Sequence, residues 1–142
     1  MSLKIVNFII YIIVLSTLSI YSAFAEQKTI TFDDGSTYIG EVVGGNMEGK
    51  GLFKSSKNSS NKQLIYSGEF KEGKFNGLGK LDFYNGDSYI GGFLDGYMHG
   101  SGLLKYESGS EYEGFFNKGN KEGKGRLVYS DGSIYEGDFK ND

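Results

Sequence analysis

The stretch Tyr66 to Ser88, YSGEFKEGKFNGLGKLDFYNGDS, decides the fold, because the two stretches after it repeat its frame. Tyr89 to Glu111 reads YIGGFLDGYMHGSGLLKYESGSE, and Tyr112 to Ile134 reads YEGFFNKGNKEGKGRLVYSDGSI. Tyr66, Tyr89, Tyr112 and Tyr135 are equally spaced, and in each full unit a phenylalanine follows four positions later, at Phe70, Phe93 and Phe116. Glycine recurs at the same places within each unit, so that Gly68, Gly73, Gly77, Gly79 and Gly86 have counterparts throughout. Fixed-period self-similarity of this length signals a repeat architecture.

Working outward, a degenerate copy begins at Tyr38, with Val42 where the phenylalanine belongs and extra residues before Tyr66. Half a unit precedes it at Ile30, Phe32 and Gly35; another half follows at Tyr135, Gly137 and Phe139. Of 23 glycines only Gly44 and Gly92 fall outside the frame. The repeat domain is assigned to 26–142: half unit 28–37, units 38–65, 66–88, 89–111 and 112–134, and half unit 135–142.

Within a unit the orders Tyr-x-Gly-x-Phe and Gly-x-Leu-x-aromatic both have period two, which implies two strands. Tyr66, Gly68, Phe70, Gly79, Leu81 and Phe83 then share one face, while Ser67, Glu69, Lys80 and Asp82 point to water. Glycine on the apolar face leaves room for neighbouring rings and lets the sheet bend. EGKFNG, DGYMHG and KGNKEG are read as hairpin loops, and FDDGST, YNGDS, ESGSE and SDGSI as tight connections between units. Burying each aromatic or leucine contributes about 1.5–3 kcal/mol, against about 1–2 kcal/mol of backbone entropy per ordered residue. One hairpin therefore does not stand alone, whereas a stack does.

These residues resemble the MORN (membrane occupation and recognition nexus) repeat, Y-x-G-x-[FW]-x-x-G-x-x-x-G-x-G, from Phe32 to Asp142. The expected fold class is all-β, an elongated single-layer antiparallel sheet of stacked hairpins. The repeat positions that carry the resemblance are Tyr38, Tyr66, Tyr89, Tyr112 and Tyr135; Phe70, Phe93, Phe116 and Phe139; and Gly68, Gly91, Gly114 and Gly137. The resemblance implies protein–protein or phospholipid association, in some relatives beside a catalytic domain, which makes an accessory role in an enzyme assembly a third reading.

The first 25 residues differ in kind. Lys4 precedes the uncharged run IVNFIIYIIVLSTLSIYSAFA, which closes in Ala23-Phe24-Ala25 before Glu26. This is the layout of a secretory signal peptide, 1–25, cleaved at Ala25/Glu26, and it places the mature chain in a periplasm or outside the cell. The alternative is an uncleaved membrane anchor, since about 20 apolar residues span a bilayer. Removal of the signal leaves 14 basic against 18 acidic side chains, a balance opposite to that of a general nucleic-acid binder. The absence of cysteine excludes disulfides, thiolate nucleophiles and zinc–thiolate sites.

Chemistry has few carriers. His99, the only histidine, occupies a loop position filled elsewhere by Glu48, Asn76 and Glu122. Asp33, Asp34, Asp87 and Asp131 flank turn glycines without a complete calcium ligand set. Glu111 and Glu113 bracket Tyr112 on the outer face, a pattern that solvation explains. Neither a nucleophile elbow nor a phosphate-binding glycine loop is present. No enzyme, cofactor or metal site is expected.

Two features look like recognition. The outer face presents comparable positions in succession, such as Lys54, Asp82, Lys105 and Val128, and repeat proteins bind partners on such surfaces. The insertion KSSKNSSNKQLI brings Lys50, Lys54, Lys57 and Lys62 together without an intervening acid, as a flexible finger for a protein or for phospholipid head groups. Asn58-Ser59-Ser60 is also a glycosylation sequon, meaningful in a eukaryotic secretory pathway. The expected partner is a protein, with phospholipid as the alternative, and the chain is a monomer or a weak end-to-end dimer through its terminal half units.

Overall fold

The structure is a computed structural model that describes residues 27–58 and 60–141; the signal-peptide assignment lies outside the described residues. The described residues form one open antiparallel sheet of ten strands, each hydrogen-bonded to its neighbours in chain order. The strands are β1 (Gln27–Thr31), β2 (Thr37–Val43), β3 (Asn46–Lys54), β4 (Ile65–Lys71), β5 (Lys74–Asp82), β6 (Ser88–Leu94), β7 (Tyr97–Lys105), β8 (Glu111–Asn117), β9 (Asn120–Val128) and β10 (Ile134–Lys140). No helix occurs among the described residues. The all-β, single-layer reading of the sequence holds.

The hairpin loops are shorter than the sequence suggested. EGKFNG does not form a loop, because β5 already begins at Lys74, directly after Glu72-Gly73. DGYMHG and KGNKEG give way in the same manner to β7 and β9. The reason is local geometry: Glu72 and Gly73 both have positive φ, 50° and 79°. That pair of conformations makes a two-residue turn whose twist matches the strands it joins. A second glycine then lets the strand continue through a bulge. Gly77 has φ 63°, and the β4–β5 register shifts between Gly68 and Glu69. The extra residues on β5 are taken up without ending the strand.

Connections between hairpins have a different design. Phe83 N–H donates to the Asp87 carbonyl and Gly86 N–H to the Phe83 carbonyl, which closes a three-residue turn with its glycine in the left-handed region. Phe32, Tyr106 and Tyr129 repeat the pair of bonds. At Asp34 and Asp131 the carboxylates accept both the N–H and the hydroxyl of Ser36 and Ser133. These bonds hold both carboxyls below the usual range. Turn chemistry thus accounts for these aspartates.

The core is a row of rings. Tyr38, Tyr66, Tyr89 and Tyr112 are fully buried, and each lies over the glycines of its own hairpin. A Cβ added at Gly68 or Gly79 would meet the Tyr66 hydroxyl at 2.6 and 2.5 Å. The Tyr66 hydroxyl donates to the Glu69 carbonyl at 2.9 Å, so its polar end is satisfied. Between consecutive tyrosines sits a phenylalanine. Phe93 meets Tyr66 at 4.9 Å and Tyr89 at 5.2 Å, edge to face in both cases. Phe70, Phe116 and Phe139 bridge their own two tyrosines in the same way. Edge-to-face contact matches the positive rim of one ring to the negative face of the next. Each hairpin is therefore locked to the one before it.

Candidate functional site

The face opposite the rings carries the candidate site. Glycines stand opposite glycines across the sheet: Gly40, Gly51, Gly68, Gly79, Gly91, Gly102, Gly114, Gly125 and Gly137 pair in one continuous row. Their missing side chains would have pointed at the tyrosines, and the residues on either side of each glycine point the other way. The outer surface consequently has a floor of glycine backbone between two walls.

One wall follows the pairing Ile39–Leu52–Ser67–Lys80–Ile90–Leu103–Glu113–Arg126–Glu136. The other is built from residues two positions along each strand, among them Lys50, Glu69, Leu78, Ser101, Phe115 and Lys124. Two stretches of the groove form shallow, open concavities. The first, about 590 Å³, lies between Ile39, Leu52, Lys50 and Leu78. The second, about 810 Å³, lies between Leu103, Glu113, Arg126 and Phe115, Lys124. Side chains two apart on a strand stand roughly 6.6–7 Å apart, which sets the width.

Charge in the second stretch is mostly neutralised internally. Arg126 pairs with Glu136 at 2.8 Å and Lys124 with Asp138 at 2.6 Å. Glu113, the cross-strand neighbour of Arg126, has no ion pair among the described residues. Glu111 is committed to Lys105 at 2.6 Å, so the two carboxylates that bracket Tyr112 do not act on a common centre. Among the described residues no three His, Asp or Glu side chains converge as a metal site would require.

The four lysines separate into three settings. Lys50 is in the groove wall of β3, where its N–H donates to the Glu41 carboxylate. Lys54 ends β3 on the outer face, opposite Thr37 and Ile65. Lys57 and Lys62 are exposed on the insertion. That insertion is closed by its own hydrogen bonds. Ser55 N–H donates to the Leu64 carbonyl, and the Ser55 hydroxyl accepts the Leu64 N–H. The Asn58 carboxamide oxygen accepts the N–H of Ser60 and of Lys62. Where the other units place Phe83, Tyr106 or Tyr129, this one has Ser55, and loss of the ring leaves room for the excursion.

His99 is in strand β7 rather than a loop, because the turn ends at Gly96. Its Nδ1 is buried and unpartnered. Gly92, whose added Cβ would lie 2.3 Å from the His99 carbonyl, leaves that spot without a side chain.

On the ring face, Phe75 stacks flat on Tyr66 at 3.8 Å, and Lys121 takes the equivalent place over Tyr112, its ammonium 5.6 Å from the ring centre. Both caps are spent on the fold. The groove itself went unremarked in the sequence, although its signal is present: the residues flanking each paired glycine are its walls.

The MORN repeat model matches residues 38–60, 66–88, 89–111 and 112–134. No curated protein matches the chain. MORN repeats generally serve as non-enzymatic modules for protein or membrane binding. With the family model matched four times over, and its hairpins built into one sheet, the chain belongs to the MORN repeat family.

Proposed function

We propose that the protein is an exported, non-enzymatic binding module that holds a protein partner along its outer groove. The observation that carries this reading is the unequal use of apolar side chains on the two faces. The rings of one face pack on one another in the fold, the terminal Tyr135 alone among the repeat tyrosines being 43% exposed. On the other, Ile39, Leu78, Ile90 and Phe115 remain 44%, 69%, 52% and 54% exposed. Apolar groups left in water along a shaped groove mark an interaction surface. Export rests on the N-terminal segment and its Ala23-Phe24-Ala25 end.

The test is photo-cross-linking in the native compartment, with a photoreactive residue at Phe115 and, as control, at Tyr84 in a connecting turn. A protein captured from Phe115 and not from Tyr84 is the expected result; equal capture from both removes the groove from consideration. N-terminal sequencing of the recovered protein should begin at Glu26, and a Met1 start establishes the anchor instead.

A phospholipid surface is the second reading, favoured by the exposure of Lys54, Lys57 and Lys62 on and beside one loop. Binding to vesicles with anionic lipid should then fall with salt and with replacement of these three lysines by serine.

A further inference from the structure

The apolar positions in the groove walls are not random. Leu52 is in one wall on β3, Leu78 in the opposite wall on β5, and Leu103 in the first wall again on β7. The walls thus present a leucine every second strand, from alternating sides. Ile39 stands beside Leu52, and Ile90 beside Leu103, each as its cross-strand partner. Phe115 follows on β8, in the wall that holds Leu78.

Neighbouring strands are about 4.8 Å apart, and an extended chain advances about 3.3 Å per residue. A chain laid across the strands therefore covers two of them, roughly 9.6 Å, in roughly three residues. In an extended chain, residues three apart point to opposite sides. Spacing and sidedness agree with the leucines. A polyproline II segment fails this match, since its residues three apart point the same way.

We infer that the groove takes one extended polypeptide segment crossing the strands, with apolar residues at i, i+3, i+6 and i+7 and a basic residue at i+8. Residue i meets Leu52 and Ile39, i+3 meets Leu78, and i+6 meets Leu103 and Ile90. One strand beyond, i+7 meets Phe115 on the other wall. Residue i+8 then faces Glu113, whose cross-strand neighbour Arg126 is already engaged by Glu136. An unpaired acid at that end calls for lysine or arginine. This inference rests on the groove being a protein-binding surface, as proposed above, and adds which segment it selects.

The probe is a fluorescein-labelled synthetic peptide with leucine at its first, fourth, seventh and eighth positions, lysine at the ninth, and serine and threonine elsewhere. A shuffled peptide of the same composition is the control, and anisotropy is read on the full chain. The patterned peptide should bind and the shuffled one should not. Leu78→Glu and Leu103→Glu, both on the outer face, should each weaken binding by about tenfold or more, the cost of losing a buried leucine contact. Glu113→Lys should weaken the lysine peptide and favour one with glutamate at the ninth position, a reversal that general disruption does not produce.

Equal binding of patterned and shuffled peptides overturns the inference, as does binding indifferent to Leu78→Glu. Competition by anionic vesicles that depends on Leu78 and Leu103 overturns it in favour of lipid. If neither peptide binds but Phe115 still captures a protein, the pattern is wrong while the binding function stands. If that capture fails too, both fall.

Discussion

The two faces of the sheet obey different rules of repetition. On the ring face each unit nearly copies the last: Tyr66, Tyr89 and Tyr112 are all fully buried, and Phe70, Phe93 and Phe116 nearly so. On the outer face the equivalent positions diverge, with Ile39, Ser67, Ile90 and Glu113 in one series and Lys50, Leu78, Ser101 and Lys124 in another. The ring face solves the same packing problem at every step, because each phenylalanine must bridge two tyrosines. No such constraint acts on the outer face, where a side chain touches only its flanking strands and solvent. Identity across units therefore reports the fold, and variation across units is where selectivity has room to reside.

The largest test of the ring face is alkaline pH. Burial beneath the neighbouring strands pushes the Tyr66 and Tyr89 phenols up to about 12, with the Glu69 carboxylate adding to the shift at Tyr66. Tyr38 is raised for the same first reason. A phenol harder to ionise in the fold than in the open chain gives stability that is complete below pH 10 and lost as pH rises towards 12. Circular dichroism should show cooperative unfolding in that window, with tyrosinate absorbance appearing together with it. Smooth titration of every tyrosine from pH 10, with the sheet intact, contradicts the burial. The outer face contributes no such transition.

Phe93→Ala is the next largest. The ring is 4% exposed and touches tyrosines of two hairpins, so its removal should cost about 3–5 kcal/mol. The loss should spread beyond its own hairpin, seen as faster hydrogen exchange in β4 and β8 as well as β6. Exchange confined to β6 and β7 indicates that hairpins are held separately.

How much of this the sequence disclosed follows the same division. The strand faces were legible because tyrosine, glycine and phenylalanine alternate with period two. The turn positions are not legible in the sequence because glycine has two uses here that composition does not separate: Gly73 makes a two-residue turn, while Gly77 admits a bulge inside a strand. The same ambiguity makes His99 read as a loop residue in the sequence, whereas it lies within β7. Of the candidate contact residues, Lys50, Lys54, Lys57 and Lys62 are neighbours in sequence, yet the strand carries Lys50 into the groove and leaves the other three outside it. The groove was hidden because its lining residues are chemically mixed; only the pairing of glycine with glycine reveals that they flank one row of the sheet.

Gly91→Ala tests that pairing directly. An added methyl would lie 2.4 Å from the Tyr89 hydroxyl and 2.6 Å from the Gly102 Cα. The tyrosine is confined by Phe93 and Phe116, and the opposing backbone is fixed by the ladder. Overpacking of this kind costs about 1–3 kcal/mol, and the melting temperature should fall accordingly. A melting temperature equal to the parent's shows that the ring has space to withdraw.

The smallest expected effect is the most informative about function. Leu78 is 69% exposed and stands opposite Gly92, which offers it no side chain to pack against. Leu78→Ser should therefore change stability by no more than about 0.5 kcal/mol, as surface substitutions away from special features do. The same change should weaken the patterned peptide by about tenfold, since in the complex this leucine would be covered. Melting temperature and anisotropy measured on one preparation separate the two faces. A variant that loses both stability and binding places Leu78 in the fold, whereas one that loses binding alone assigns it to the groove. An intact melting curve with undiminished peptide binding removes Leu78 from both, and with it the alternation of walls on which the three-residue spacing depends.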